Sequence, residues 1–328
     1  MIVTLTANPS LDRTVELAEA LEPGAVQRAT STRQDPGGKG VNVTRALRAS
    51  GVDSIAVLPA GAGDAFLAAL AAEGVPHRAV PIDGAVRTNL TIVDAAGVTT
   101  KVNEPGPELD ADAQARLVDA TAAASVGADW LVLAGSLPPG APDDCYVRVV
   151  EAARAAASRS GAAAPRIAVD TSGAALAALV ESGVGVDLIK PNAEELAELT
   201  GSSDEAALEA GPDEAIDLAR SIPVERVRAS LVTLGAEGAA IVTEDHAWFA
   251  RAPRVVPRST VGAGDCSLAG FLVAAVEGAS PADALARAVA SGAAAVALPG
   301  SAVPTRDLID PARVVVTEVA GMPVGDRP

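Results

Sequence analysis

Histidine and cysteine are nearly missing from this chain of 328 residues, which has only His77, His246, Cys145 and Cys266. That excludes a clustered zinc site and a disulfide framework. Aromatic rings are scarce as well, with two Trp, one Tyr and three Phe. Base-stacking platforms and aromatic sugar-binding belts are therefore out of reach. Positive charge is in deficit: 25 Lys and Arg stand against 42 Asp and Glu, a formal charge of −17. Such a surface suits neither nucleic acid nor an anionic membrane, and an anionic ligand needs a local basic clamp. Long apolar runs are absent too. The longest, 288–299, is broken by Gly292 and falls short of the roughly 20 residues of a membrane helix. The opening MIVTLTANPSLD has no basic n-region and no apolar h-region, so a cytoplasmic protein is expected. Carboxylates, lysine, arginine, amides and backbone are left to do the chemistry.

What is present is globular: 49% of residues are apolar and 20% charged, enough for one large core, or a core with a smaller appendage. Short β-rich apolar runs at 2–6, 54–58, 130–133, 167–169, 186–189 and 231–234 predict strands, the later four buried on both faces. Between them, Tyr146, Val149, Val150 and Ala153 fall at i, i+3, i+4 and i+7. So do Leu268, Phe271, Leu272 and Ala275, and again Leu285, Ala288, Val289 and Gly292, as on helices. This alternation predicts an α/β fold with a mostly parallel sheet covered on both faces. Two early regions read differently, as strands with little helix between: 14–17 with 28–33, and 90–93 with 99–102. The latter pair is joined by Asp94-Ala95-Ala96-Gly97, a turn in which Gly97 supplies φ > 0. They predict a small β-sheet lid, contributed by about 12–34 and 79–104, on a single domain spanning 1–328.

Ligands of open parallel sheets bind beyond the carboxyl ends of the strands. Gly135-Ser136, Asp170-Thr171, Lys190-Pro191-Asn192 and Thr233-Leu234-Gly235 follow predicted strands and should share one edge. Gly262-Ala263-Gly264-Asp265 leads into a helix whose first N–H groups form an anion hole for a transferring phosphoryl group. Asp265 there could take a proton from an attacking hydroxyl, or simply cap the helix. The same tetrapeptide occurs at 61–64, where a tight turn with Asp64 as cap accounts for it. Asp35-Pro36-Gly37-Gly38-Lys39-Gly40-Val41-Asn42 brings backbone, a charge and an amide to a ligand. It lacks the spacing of a P-loop. Nor does a GxGxxG follow the first strand, which removes a dinucleotide-dependent oxidoreductase.

DPGGKGVNV, GSLPPG at 135–140, IKPNAEEL at 189–196, LVTLGAEGA at 231–239 and VGAGD at 261–265 together resemble the ribokinase-like (PfkB) family of carbohydrate kinases, and span nearly the whole chain. TANPSLD, RTN at 87–89, NEPGP at 103–107 and VDTSG at 169–173 are similar to its branch of 1-phosphofructokinases and tagatose-6-phosphate kinases. In place of the GG-type loop common after the second strand in that family, the chain carries Ala60-Gly61-Ala62-Gly63.

The resemblance implies a ribokinase-like three-layer fold and an ATP-dependent kinase acting on a phosphorylated ketohexose. The expected acceptor is fructose 1-phosphate, with tagatose 6-phosphate as the alternative and a catalytically silent sugar-phosphate sensor as a third. By it, Asp265 is the general base and the amides of Gly262, Ala263 and Gly264 form the anion hole. Asn192 and Glu195 would organise Mg²⁺ through water. Lys190, Asn192, Thr233, Gly235, Glu237 and Gly238 would meet the nucleotide, with adenine near Ser291, Gly292 and Gly300. Asp12 and Asn42 would bind sugar hydroxyls beside Gly37 and Gly38, and Lys39, Arg28, Arg87 and Ser136 would hold the phosphate already present. A homodimer through the lid is expected, because an exposed small sheet invites pairing.

Overall fold

The computed structural model describes residues 1–202 and 211–319. Fourteen strands form two sheets among these residues. The main sheet contains β1 (Ile2–Thr6), β4 (Ser54–Ala60), β5 (His77–Pro81), β8 (Trp130–Ala134), β9 (Arg166–Asp170), β10 (Leu188–Ile189), β11 (Ala229–Thr233), β12 (Gly238–Thr243), β13 (Ala247–Arg251) and β14 (Val316–Glu318). Its order is β14-β13-β12-β11-β10-β9-β8-β1-β4-β5. Every pairing from β11 to β5 is parallel, and β11 to β14 are antiparallel. The smaller sheet has the order β3-β2-β6-β7, from β2 (Ser10–Leu17), β3 (Ala29–Gly37), β6 (Arg87–Val93) and β7 (Thr99–Asn103).

The alternation of a strand sends its neighbouring side chains to opposite cores. Ile2, Trp130 and Val132 join Val43, Leu47, Leu268, Leu272 and Leu285 on one face. Val3, Leu131 and Leu133 join Leu117, Tyr146, Val149 and Leu179 on the other. The sheet is thus the middle of three layers, and the expected fold class is the one observed. Helix Ala263–Val276 lies in the first of these cores, with every residue from Asp265 to Ala274 buried. It is apolar all round because it is enclosed all round.

Three expectations need correction. The run 186–189 contributes only Leu188–Ile189 as strand, with Val186 bridging Val227 alone. Leu234 has left β11 and precedes a 3₁₀ turn. The stretch 79–104 begins inside β5, which pairs with β4 in the main sheet, so the smaller sheet takes it up only from Arg87. The turn at 94–97 is as read: Gly97 has φ 83°, and Asp94 Oδ1 accepts from the N–H groups of Ala96 and Val98. No helix among the described residues is long and apolar enough to cross a membrane.

Candidate active site

The carboxyl ends of β8, β9, β10 and β11 lie side by side, so the polar residues that follow them converge. Ala134 pairs with Asp170 across β8 and β9, and Asn192 bridges Thr233 beyond β10 and β11. Asp170 is the electrostatic centre. Its side chain is 1% exposed, with Oδ1 2.8 Å from Lys39 Nζ and Oδ2 3.1 Å from Lys190 Nζ. Burial alone would raise its pKa, but the two ammonium groups outweigh burial and hold it below the ordinary carboxylate range. Lys39 opens helix Lys39–Ala49 and also lies 3.7 Å from Glu195. Burial opposes its charge, while the carboxylates of Asp170 and Glu195 keep it protonated well above the usual lysine range.

Asp265 sits beside this cluster, in the first turn of helix Ala263–Val276. The N-cap is Gly262, at φ 75°, and no side chain caps the helix, so Asp265 is not a cap. Its Oδ2 accepts a 2.8 Å hydrogen bond from Asn42 Nδ2. Burial first, and the Asp170 charge second, push its pKa up to about 6, against Asn42, Lys190 and Lys39. The first-turn N–H groups have no intrahelical partner, although that of Ala263 leans on the Thr260 carbonyl at 3.4 Å. A Cβ on Gly264 would lie 3.4 Å from Lys190 Nζ, so a positive charge stands at the hole's mouth. The neighbouring Cys266 is 2% exposed, and burial with the Asp265 charge pushes its thiol up to about 12. It is a packed small residue rather than a reactive one.

A second group gathers where β2 and β6 begin. Asp12 Oδ1 accepts from Ser10 Oγ at 2.8 Å and Asn89 Nδ2 at 3.0 Å. Burial lifts its pKa above the usual value, against those two donors and Arg87. A Cβ on Gly37 would fall 2.2 Å from Asp12 Oδ2, so a larger residue there would displace the Asp12 carboxylate. Arg87 donates to the carbonyls of Asn8 and Glu104. Arg87 Nε, Asn8 Oδ1 and Asn89 Oδ1 are buried without a partner. Three orphaned polar atoms at one place suit a ligand rich in hydroxyl and phosphate oxygens. Ser136 is exposed, and a Cβ on its neighbour Gly135 would lie 3.9 Å from Lys39 Cβ.

A third region is a cleft of about 720 Å³ that ends at Ala263 and Gly264. Asn192, Thr233, Gly235, Gly238 and Gly292 line it, with Val289, Ala293 and Val296 as an apolar wall. Further lining from Ala252 to Val255 with Pro257 was missed in the sequence because it has no periodicity to announce it.

Four expected site residues stand elsewhere. Arg28 is exposed and immediately precedes β3, at the opposite end of that strand from Gly37. Roughly 30 Å of extended chain separates them. Ser291 is 2% exposed and donates to the Arg287 carbonyl, against Gly270 rather than the cleft. Glu237 pairs with Arg251 at 3.2 Å on the surface. Gly300 packs against the Arg33 guanidinium. Asn192 and Glu195 form a capping box: Asn192 Oδ1 accepts from the Glu195 N–H at 2.8 Å, and Glu195 Oε2 from the Asn192 N–H at 3.0 Å. Asp170, which carries no expected role, is the residue all these charges share. Its signal was its place directly after a buried strand at the binding edge.

The family described as pfkB family carbohydrate kinase matches residues 6–308. A 1-phosphofructokinase of Xanthomonas campestris pv. campestris is 37% identical over 87% of this chain and 87% of its own. An ATP-dependent 6-phosphofructokinase isozyme 2 of Mycobacterium tuberculosis is 33% identical over 94% of this chain and 88% of its own. Among solved structures, phosphofructokinase-2 from Escherichia coli in complex with potassium superposes with a TM-score of 0.84 at 31% identity, covering 94% of this chain and 96% of that one.

Proposed function

The chain belongs to the pfkB family of carbohydrate kinases, and from that premise we propose that it carries the terminal phosphoryl group of ATP to fructose 1-phosphate, giving fructose 1,6-bisphosphate and ADP. One observation carries the reading. Asp265 is a buried carboxylate with a pKa near 6, set inside the helix turn that closes the cleft and not spent on capping it.

Phosphoryl transfer rests on placing the reactants and neutralising charge. Asp265 takes the proton of the attacking O6 hydroxyl. A base with a pKa near 6 is ionised at neutral pH yet basic enough to be useful. The amides of Gly262 to Gly264 face the oxygens of the transferring group, where preorganised donors act most strongly. Lys190 and Lys39 add positive charge there, held in place by Asp170. Asp12, Asn42 and Asn89 take sugar hydroxyls, and Arg87 with Ser136 holds the phosphate already present. Lys39 serves the transfer end rather than that phosphate, since its charge bears on Asp265 while that of Arg87 bears on Asp12. Arg28 has no part within one chain. The nucleotide occupies the cleft along Thr233, Gly235, Gly238 and Gly292.

A divalent cation, Mg²⁺ in this reading, supplies neutralisation of the nucleotide phosphates when bound. The donor set suits it. Among the described residues no group of three or more His, Cys, Asp or Glu could hold a metal directly. Glu195 Oε1 remains clear of the capping box, 3.7 Å from Lys39. A hydrated Mg²⁺ held by one carboxylate and substrate phosphates needs no more. The smaller sheet, which carries Asp12, Asn89 and Arg87, acts as the lid over the sugar. Its exposed Val98 and Val102, with Val26 and Leu21 in the loop between β2 and β3, favour pairing with a second copy. The enzyme works in the cytoplasm.

The test is ADP release with ATP and Mg²⁺ against fructose 1-phosphate, fructose 6-phosphate, tagatose 6-phosphate and fructose. The expected result is the highest kcat/KM on fructose 1-phosphate. Preference for either 6-phosphate reassigns the acceptor, and no turnover on any of them, with sugar phosphate bound, sinks the kinase reading.

A further inference from the structure

We propose that Arg45 is a positioning residue for the base, fixing which way round the Asn42 amide stands. The proposal rests on Asp265 as base. An amide beside a carboxylate helps only if its NH₂ faces it; the flipped amide sets oxygen against oxygen. Nothing in Asn42 itself chooses, since both faces have the same shape. Arg45 makes the choice. Its side chain lies one turn along the same helix and is 9% exposed, and Nη1 stands 3.5 Å from Asn42 Oδ1. A guanidinium only donates, so a flipped Asn42 would meet a donor on one side and a carboxylate on the other, both wrong.

The guanidinium is itself anchored. Its Nε pairs with Glu73 Oε2 at 2.7 Å, and Nη1 donates to the Ser301 carbonyl at 3.1 Å. Arg45 thus ties the base to the helix Ala65–Ala72, which ends beside Glu73, and to the loop at 299–301. Lysine could reach one of these acceptors, not all three. The other charged groups acting on Asp265 are Asp170 at the end of β9, Lys39 on the helix of Arg45, and Lys190 after β10. Cys266 is protonated throughout the working range. Of these, Cys266 feels the Arg45 charge, which pulls its thiol pKa down, so removing that charge leaves the thiol more firmly protonated.

The test is the pH dependence of kcat/KM in Arg45→Met, which keeps length and removes charge and donors. Loss of the ordered amide donor should raise the pKa of the base and move the acid limb up by roughly half to one pH unit. At neutral pH kcat should fall roughly ten- to fifty-fold, with KM for ATP within about threefold and KM for the sugar phosphate raised, since Asn42 also meets a sugar hydroxyl. Arg45→Lys should recover part of both. In an Asn42→Ala background, Arg45→Met should change neither. A wild-type limb in Arg45→Met overturns the proposal, as does a loss of kcat that persists in the Asn42→Ala background. Should Arg45→Met yield no folded protein, Arg45→Lys decides by the same limb, an unmoved limb overturning it. Absence of turnover in the wild type would instead defeat the kinase reading itself.

Discussion

Residues 61–64 and 262–265 spell the same Gly-Ala-Gly-Asp, yet the following helix begins at Ala65 in the first and at Ala263 in the second. The difference of three positions decides what each aspartate does. In the first copy Gly61 is pressed so close to the Gly84 carbonyl that a Cβ would lie 2.1 Å from it, and the left-handed residue is Gly63, at φ 78°. The chain enters its helix late, leaving Asp64 as N-cap, with Oδ1 on the Phe66 N–H and Oδ2 on the Val86 N–H. In the second copy Gly262 is the left-handed residue, and the helix starts at once. Asp265 is then carried into the first turn, where an amide and two nearby lysines face it instead of backbone donors. A carboxylate satisfied by two N–H groups is structural, and one buried with a raised pKa and an open edge has work left to do.

The largest expected effect separates the two aspartates. Asp265→Asn should lower kcat by roughly 10²–10⁴-fold, the worth of a general base. Stability should hold or rise, because the change removes a charge that burial disfavours. The same group sets the pH profile. Its protonated form cannot accept a proton, so kcat/KM should fall as pH drops through about 6. A limb near the ordinary carboxylate value instead would mean that Asp265 is not the base, and the contrast would collapse.

A glycine pair sharpens the same contrast at smaller magnitude. Gly63 and Gly262 have φ of 78° and 75°, so alanine at either should cost about 1–2 kcal/mol of strain. The two variants should therefore melt lower by similar amounts. Only Gly262→Ala, which displaces the amides of the helix turn lining the cleft, should also lower kcat, by roughly ten- to a hundred-fold. Equal kinetic losses in both would show that the first loop reaches the reaction as well.

Much of the fold was legible because burial writes itself locally. The both-face apolar runs of β8 and β9 and the glycine turn at 94–97 follow from side-chain period and backbone sterics alone. The binding edge was legible too, since the residues after those strands must converge once the strands are parallel neighbours. What escaped depends on who meets whom. Asp170 could be placed at the edge, but nothing local told that Lys39, 131 positions earlier, would reach it. Arg28 reads as a clamp residue until the length of β3 removes it from the site. Ser291 and Gly292 are adjacent, yet helical rotation sends one into the Gly270 contact and the other into the cleft wall. Asn192 and Glu195 show the opposite failing. Their N-x-x-E spacing before an apolar run is a capping box on its face, and the metal role implied by resemblance hid the plainer local one.

The smallest effect tests the structural copy. Asp64→Ala removes an N-cap oxygen and leaves the Val86 N–H, at the entrance to β6, without its acceptor. The cap alone is worth about 1 kcal/mol, and an orphaned N–H adds about 1–2 kcal/mol where water cannot replace its partner. Denaturant unfolding should therefore show a lower midpoint at unchanged slope. Turnover at saturating substrates should stay within about twofold, because Asp64 touches only backbone of its own turn and of the residue before Arg87. KM for the sugar phosphate is the more sensitive readout, since Val86 precedes the arginine assigned to the existing phosphate. A rise in that KM with kcat unchanged would mean that the first tetrapeptide, structural in itself, still sets the register of the strand that holds the sugar. A fall in kcat equal to that of Asp265→Asn would mean that the two copies do not divide their labour at all.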